Sequence, residues 1–192
     1  MPKKKDPLVQ MRIIALLEEP HMRSPVVILN EPVSDLILPI WIGESEARAI
    51  ALRLEDVEVS RPLTHTLLMN VIGDLGGKVL RVAVEKIEAG TYFAKIYVRS
   101  GRKTIKIDAR PSDSIALALE AEAPIFVTES VLSIAGQENP FPADAVARAE
   151  AAIKKRDVPQ AQAEFSKKEV ENLKELLRKA REKEQKGGEG SN

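Results

Sequence analysis

The sequence contains no cysteine. This absence excludes a disulfide framework, redox thiol chemistry, and any zinc or iron–sulfur site with cysteine ligands, and it suits a reducing compartment. Long apolar runs are also missing, because charged residues and Asn interrupt every hydrophobic stretch before it reaches membrane-spanning length. The basic residues 1–5 are followed by Asp6 and Pro7 rather than by an apolar signal-peptide core. We therefore expect a cytoplasmic protein that makes no contact with a membrane.

Net charge is the next thing that the sequence lacks, since its 29 basic and 29 acidic side chains cancel. A neutral molecule has no overall field that would gather nucleic acid or an acidic membrane non-specifically. Any site for a polyanion must therefore be local. The chain does have 44% hydrophobic residues among its 192, which is enough for one substantial core.

Hydrophobic periodicity predicts an α+β fold. Recurrence at three- and four-residue spacing indicates helices after Gly43, from Thr64 to Leu75, and from Pro111. Short apolar runs between turn residues indicate strands at Leu8–Leu17, Val26–Leu29, Leu36–Trp41, Lys78–Ile87, Thr91–Arg99, Lys103–Ala109 and Ile125–Thr128. Because strands and helices do not alternate regularly, we expect a mixed, largely antiparallel sheet with helices packed on it rather than a doubly wound fold.

The chain changes character near Ala135, where Pro, Asn and Gly punctuation gives way to Ala-rich and charged sequence. We predict a main domain at residues 8–135 and a charged helical extension at 136–186. Residues 187–192 are rich in Gly and polar side chains, and we expect a disordered tail there.

Two helix candidates make up the predicted extension, Ala143–Arg156 and Lys167–Lys186. In the second, apolar residues at a/d spacing form a narrow stripe amid Lys, Glu and Arg. The stripe consists of Val170, Leu173, Leu177 and Ala180. It suits a solvated helix that rests on the domain or on a partner subunit, and we expect its removal to cost little core stability.

Three segments carry a family resemblance. They are LPIWIGESEARAI (Leu38–Ile50), RPLTHTLL (Arg61–Leu68) and DARPSDSIALAL (Asp108–Leu119), the last followed by APIFV (Ala123–Val127). In this order they resemble the bifunctional nuclease family, small bacterial and plant proteins described as cleaving DNA and RNA. The resemblance covers about Leu8 to Ala135 and implies an α+β nuclease domain that forms a homodimer or a higher homo-oligomer. Thr66 departs from the family pattern, which commonly has an acidic residue directly after the histidine.

Cleavage of a phosphodiester needs an activated nucleophile, stabilisation of charge on the phosphoryl oxygens and a proton for the leaving oxygen. His65, one of two histidines in the chain, is the candidate general base or acid. Arg61 lies close to it in sequence and is a candidate phosphate ligand. The alternative for His65 is a capping or packing role at a helix start.

Asp108, Arg110, Ser112 and Asp113 cluster where a strand ends and a helix begins. Backbone N–H groups and a hydroxyl at such a place can hold an anion. We take Asp108 and Asp113 as further catalytic candidates, and Arg110 and Ser112 as phosphate ligands. The alternative is ordinary capping together with a structural ion pair.

A divalent metal is one option for a cofactor, but the sequence assigns no ligands to it. Glu44 and Glu46 are two residues apart and therefore do not face each other on a helix. They are not a ready-made metal pair.

Alternation along the second predicted hairpin gives a basic face. Side chains at every second position point away from Ile105 and Ile107. This set contains Phe93, Lys95, Tyr97, Arg99, Arg102, Thr104, Lys106, Asp108 and Arg110. Such a face can follow a phosphate backbone and stack unpaired bases, so Lys95, Tyr97, Arg99, Arg102 and Lys106 are candidate substrate ligands. The alternatives are an ordinary solvated sheet face, or aromatics covered by the C-terminal helices.

Two function classes follow from these observations. The first is a nuclease, a hydrolase acting on DNA and RNA, which the resemblance favours. The second is a non-catalytic nucleic-acid-binding protein or oligomeric scaffold, which the few acid and base candidates and Thr66 favour. The partners expected in the first class are DNA or RNA and further copies of the chain.

Overall fold

The structure is a computed structural model that describes residues 6–19, 24–154 and 167–188. The described residues form eight strands and six helices, which confirms the α+β class. The strands are β1 (Leu8–Glu19), β2 (Ser24–Glu31), β3 (Leu36–Trp41), β4 (Gly77–Glu88), β5 (Thr91–Ser100), β6 (Lys103–Ala109), β7 (Ile125–Thr128) and β8 (Gln137–Glu138). The helices are α1 (Glu44–Leu54), α2 (Thr64–Asp74), α3 (Pro111–Glu120), α4 (Glu129–Ala135), α5 (Ala143–Lys154) and α6 (Lys167–Gly188).

All eight strands join one sheet in the order β6–β5–β4–β7–β1–β2–β3–β8. Neighbouring strands are antiparallel except β4 and β7, which are parallel, so the predicted mixed and largely antiparallel sheet is confirmed. The short strand β8 was not predicted, and it pairs with Leu36 and Ile37 of β3. Helix α4 was not predicted either.

The main core lies between helices α1, α2 and α3 and one side of the sheet, here called the inner face. Helix α3 supplies Ile115 and Leu117, which are fully buried against strand residues such as Ile96. Pro111 occupies the first turn of α3, where its missing N–H costs no intrahelical hydrogen bond. The proline therefore favours a helix start at this residue, shortly after strand β6.

The C-terminal helices cover part of the opposite side of the sheet, here called the outer face. Leu173 and Leu177 of α6 pack with Ile14, Val26 and Ile28 of β1 and β2 in a second core to which α5 also contributes. Leu173 is 0% exposed. The last helix thus contributes fully buried side chains to a core, because even a narrow stripe buries fully when it docks on an apolar sheet face. This burial argues against the expectation that removing the helix costs little core stability, which stays a prediction. The second core does not extend to β4, β5 or β6.

The predicted boundaries in the C-terminal part are met only in part. Helix α5 ends at Lys154, and residues 155–156 of the predicted helix lie outside the described residues. Helix α6 runs through Gly188, two residues into the predicted tail, and residues 189–192 of that tail also lie outside the described ones, as does the side chain of Ala180. The division into 8–135 and 136–186 remains a proposal.

Membrane insertion through a helix finds no support in the described parts of the chain, where no helix is both long and apolar enough to cross a bilayer. Helix α6 has 22 residues, but charged side chains occupy most of its surface.

Truncating Leu173 tests whether α6 is part of the core. Leu173→Ala deletes a fully buried side chain and should lower the free energy of unfolding by about 2 to 5 kcal/mol. The matched control is Ile134→Ala, because Ile134 is 68% exposed and surface changes usually stay within about 0.5 kcal/mol. Urea unfolding of both variants followed by circular dichroism gives the two values. Equal values would show that α6 does not stabilise the domain.

Candidate functional site

First-turn residues of three helices meet at one end of the inner helical layer. Glu46 comes from α1, His65 from α2 and Asp113 from α3. Arg110, the residue before α3, connects them with Nη1 2.7 Å from Oε1 of Glu46, and with Nε and Nη2 2.8 and 2.9 Å from the two carboxylate oxygens of Asp113. His65 Nε2 lies 3.5 Å from Oδ1 of Asp113. These four residues are called the helix-end cluster below.

The backbone around the helix-end cluster favours negative charge. Helix N-termini present N–H groups without intrahelical partners and carry a partial positive charge. None of the three N-cap residues, Gly43, Leu63 and Arg110, makes a side-chain cap hydrogen bond. The partial positive charge of these helix ends favours the carboxylates of Glu46 and Asp113, which lie in the first turns of α1 and α3.

Arg110 acts as the fork that holds the helix-end cluster together. Its bidentate hydrogen bonds, with His65 nearby, lower the pKa of Asp113, against an opposing effect of partial burial. The Asp113 carboxylate raises the pKa of Arg110, and Glu46 raises it further by a smaller amount. Asp113 is therefore an ionised acceptor at neutral pH, and Arg110 is a permanent cation.

His65 is oriented by Asp113. Its side chain is 16% exposed, and its Nε2 atom faces the carboxylate. The separation of 3.5 Å is longer than a normal hydrogen bond, but catalytic hydrogen bonds often shorten only when substrate binds. A histidine held at one nitrogen by an ionised carboxylate has its other nitrogen free for proton transfer, which is the arrangement that an acid–base catalyst needs.

The structure brings together only part of the predicted catalytic set. Asp108 is separated from His65 because its Oδ1 atom pairs with Lys95 Nζ at 2.6 Å on the outer face. Ser112 is buried within the first turn of α3, while Arg61 is exposed in the loop before α2. Thr66 Oγ1 donates a hydrogen bond of 2.9 Å to Glu120.

Glu46 is the member of the helix-end cluster that the sequence analysis missed. Its spacing from Glu44 concerns only residues of the same helix. That spacing says nothing about which residue of another helix lies opposite. The one available signal was that Glu46, like Asp113, is an acidic residue in a first helical turn.

The predicted basic hairpin face exists on the outer face, but one part of its prediction does not fit. Lys95 lies opposite Asp108, and Tyr97 lies opposite Lys106, so these side chains share a face. The Tyr97 ring is only 5% exposed, because Arg81 lies over it with Cζ 4.3 Å from the ring centroid. Direct stacking of a base on Tyr97 is therefore blocked. The alternation of side chains along β5 predicts which residues share a face. It does not predict that Arg81 of the neighbouring strand β4 covers Tyr97.

The remaining hairpin candidates are exposed. Arg99 lies near the end of β5, and Arg102 lies in the turn that leads to β6. Ile105 and Ile107 point to the inner face, where both are also exposed at the sheet edge, at 48% and 42%. Strand β6 is thus exposed on both sides.

Metal coordination is the remaining chemistry that the site must be tested for. In the portions of the chain that the structure describes, no group of three or more His, Asp or Glu side chains is arranged to hold a metal ion. Glu46 and Asp113 are the two carboxylates of the helix-end cluster, and both are engaged by Arg110.

Comparison with known proteins places the helix-end cluster inside a shared region. Residues 27–140 match the bifunctional nuclease domain. An uncharacterized protein of Mycobacterium tuberculosis is 42% identical over 127 residues, which are 66% of this chain and 76% of that protein. Bifunctional nuclease 1 of Oryza sativa subsp. japonica is 26% identical over 62% of this chain and 37% of its own length. Bifunctional nuclease 2 of Arabidopsis thaliana is 29% identical over 57% of this chain and 34% of its own length.

The ionisation of Asp113 tests the role of Arg110. Arg110→Gln removes the fork and should move the pKa of Asp113 upward, toward the ordinary value of about 3.9. Because the native pKa is lowered, the pair stabilises the fold above the unfolded-state pKa, and that stability is lost as the pH falls through the folded-state value. For a partly exposed pair this should amount to less than about 1 kcal/mol. Carboxyl carbon NMR titration of Asp113 gives the pKa directly.

The matched control is Arg148→Gln, which breaks the Arg148–Asp144 pair on α5. That change should raise the pKa of Asp144, which Arg148 lowers, and leave the titration of Asp113 unaltered. An unchanged Asp113 titration in Arg110→Gln would show that Arg110 does not control this carboxylate.

Proposed function

This chain belongs to the bifunctional nuclease domain family, and we propose that it is a nuclease that hydrolyses phosphodiester bonds of DNA and RNA at the helix-end cluster. The proposal rests on one observation: His65 is held by an ionised carboxylate at a point where three helix N-termini converge. Helix N-termini bind phosphate, and an oriented histidine transfers protons. Phosphodiester hydrolysis requires both functions in one place. A cytoplasmic location, expected from the composition, belongs to the same proposal.

His65 performs the proton transfer in this proposal. Its imidazole takes a proton from a water molecule as the water oxygen attacks phosphorus, and the bond from phosphorus to the leaving oxygen breaks. Asp113 stabilises the imidazolium that forms. The leaving oxygen takes a proton from a solvent water molecule, and the imidazolium returns its proton to solvent, which restores neutral His65. Asp113 is thus a positioning residue, and Arg110 fixes Asp113 in turn.

Charge on the phosphoryl oxygens is met by backbone N–H groups at the starts of α2 and α3, which can donate to them without reorganising. Arg61 lies in the exposed loop three residues before α2 and supplies a cation for the incoming phosphate. Ser112 is buried, so its hydroxyl is not assigned a phosphate contact in this proposal.

A divalent metal bound at the helix-end cluster would need the carboxylates of Glu46 and Asp113 as ligands. Glu46 and Asp113 would have to exchange Arg110 for the metal ion, because Arg110 now occupies the space between them. Acid–base catalysis by His65 needs no such exchange. The proposed reaction therefore continues in the presence of EDTA. Any stimulation by Mg²⁺ would show that a metal ion adds to catalysis by His65.

Substrate binding extends to the basic face of the hairpin in this proposal. Arg99 and Lys106 lie on the outer face, and Arg102 lies at the turn between β5 and β6. Because β6 is the edge strand of the sheet, a single strand passing round this edge can contact both sides of the sheet. Each phosphate contact should then contribute through counterion release.

Assembly is a second proposal, and it rests on an exposed apolar surface. Helix α2 is rich in apolar residues yet buries none of them fully. Ile72 of α2 and Val98 of β5 both flank Gly77, and Val98 lies opposite Ile105 of β6. The α2–β6 surface consists of Leu67, Leu68, Val71, Ile105 and Ile107, all at least 41% exposed.

Monomeric proteins rarely expose contiguous apolar patches of this kind, and an open edge strand adds unpaired backbone groups to it. We propose that the α2–β6 surface is covered by another copy of the chain in a homodimer or higher homo-oligomer. The scaffold class of function requires this assembly without turnover, so the two tests below separate the classes.

Catalysis is tested by His65→Ala, which removes the proposed proton-transfer group. Turnover of fluorescent single-stranded DNA and RNA should fall by about 100-fold or more. Asp113→Asn should lower turnover as well, because an amide does not stabilise the imidazolium. Assays with EDTA and with Mg²⁺ on identically purified proteins provide the measurement.

Asp144→Asn is the matched control, because Asp144 also pairs with an arginine but lies on α5. It should keep wild-type turnover. Asp108→Asn tests the placement of the active site, and it should also leave chemistry intact, since Asp108 is separated from His65. Wild-type turnover in a folded His65→Ala variant would remove the helix-end cluster from the reaction.

Assembly is tested by Leu67→Lys. Leu67 is 55% exposed, so a lysine there is compatible with the folded subunit but not with a dry interface. Sedimentation at micromolar concentration should show an oligomer for the wild type and a smaller species for the variant. Val33→Lys, at a 92% exposed turn position, is the control and should sediment as the wild type. A monomeric wild type would contradict the proposal.

A further inference from the structure

A cleft on the outer face lies apart from the helix-end cluster. Its volume is about 470 Å³, and its walls include Asp6, Arg81, Glu85, Tyr97, Lys106 and Thr128. Volumes of roughly 300 to 1,000 Å³ are typical of small-molecule sites. The cleft lies over β4 and β5, in the part of the sheet that the second core does not cover.

Cations and aromatic rings alternate across the floor of this cleft. Tyr97 lies directly opposite Arg81 on one side and Lys106 on the other. The Arg81 guanidinium is 4.3 Å from the ring centroid, and Lys106 Nζ is 5.1 Å from it. Arg81 also lies 6.0 Å from the Phe126 ring. The two cations are thus fixed beside one ring.

These two cations have no carboxylate partner among the residues that the structure describes, unlike their neighbours. Lys86 pairs with Glu88, and Lys95 pairs with Asp108. Arg81 instead has a buried Nε atom with no hydrogen-bond partner in the described structure. A half-buried cation without a carboxylate partner, such as Arg81, is costly. Together with the exposed Lys106 beside the same ring, it can pair with an anion that has two or more negative oxygens.

The carboxylates of Asp6 and Glu85 in the cleft restrict which other groups that anion contains. Glu85 accepts a hydrogen bond from the Tyr97 hydroxyl, and Asp6 accepts one from the Ser130 hydroxyl. Both carboxylates retain acceptor capacity, since each oxygen has two lone pairs. A simple anion would be repelled by them. A molecule that joins a phosphate to hydroxyl or amino donors satisfies both sides of the cleft.

We propose that the outer-face cleft binds a nucleoside monophosphate. The phosphate pairs with Arg81 and Lys106, and the sugar hydroxyls or base amino groups donate to Glu85 or Asp6. Nucleotide-sized ligands fit the cleft volume, whereas a free phosphate leaves the carboxylates facing no donor. This site lies apart from the helix-end cluster and does not depend on nuclease activity, although it shares Lys106 with the proposed substrate-binding face.

Isothermal titration calorimetry with AMP tests the proposal on the full chain. Arg81→Gln and Lys106→Gln should each weaken AMP binding by about 10- to 100-fold, the scale of one hydrogen bond to a charged group. Lys103→Gln is the matched control, because Lys103 is an exposed cation on the same strand that does not line the cleft. Adenosine and inorganic phosphate should each bind at least about 10-fold more weakly than AMP.

His65→Ala separates this site from the proposed active site. AMP affinity should be unchanged in that variant, whatever its turnover. Lys106 is exposed, so Lys106→Gln decides the question if Arg81→Gln does not fold, as judged by its melting curve. The proposal is overturned if the wild type shows no saturable AMP binding, or if it binds inorganic phosphate as tightly as AMP. It is also overturned if Lys106→Gln and Lys103→Gln weaken AMP binding equally, or if His65→Ala abolishes it.

Discussion

The pairing of β7 with two strands at once is the constraint on which the rest of the structure depends. Strand β7 has four residues, and it pairs in parallel with β4 and antiparallel with β1. Without it, β1–β2–β3 and β4–β5–β6 would be two separate meanders. Joining them puts α1, which follows the first meander, and α3, which follows the second, on the same face. Only then does Glu46 meet Arg110 and Asp113.

Electrostatic function in this protein comes from placement rather than from excess charge. The chain has equal numbers of acidic and basic residues, yet the two faces of the sheet use them differently. Near the helix ends, Arg110 offsets one of the two negative charges of Glu46 and Asp113, and His65 lies beside the Asp113 carboxylate. On the outer face, Arg81 and Lys106 stay without carboxylate partners in the described structure. Local imbalance within a neutral total lets one small domain present two distinct polar sites.

The sequence predicted the elements better than the relations between them. Strand and helix positions such as β3 and α3 followed from periodicity and from Pro111, because these signals act within a few residues. The contact of Glu46 with Arg110 depends on the strand order, and no local pattern encodes that order. The same reason explains why Tyr97 was expected to be open, since its cover, Arg81, comes from the neighbouring strand. Whether the stripe that contains Leu173 rests on the domain or on a partner subunit was left open, because the answer depends on a surface that is distant in sequence.

The segment that matches the family is shorter than the segment whose buried side chains form the two cores. The family match ends at residue 140, before α5 and α6 begin. Ile28 lies inside the matched region and Val26 directly before it, but the residues of α5 and α6 that cover them lie outside it. A fragment cut at the family boundary would present this strip of sheet to water, where apolar surfaces associate. In this chain, the residues that match the family and the residues whose side chains pack into the two cores therefore cover different lengths of sequence.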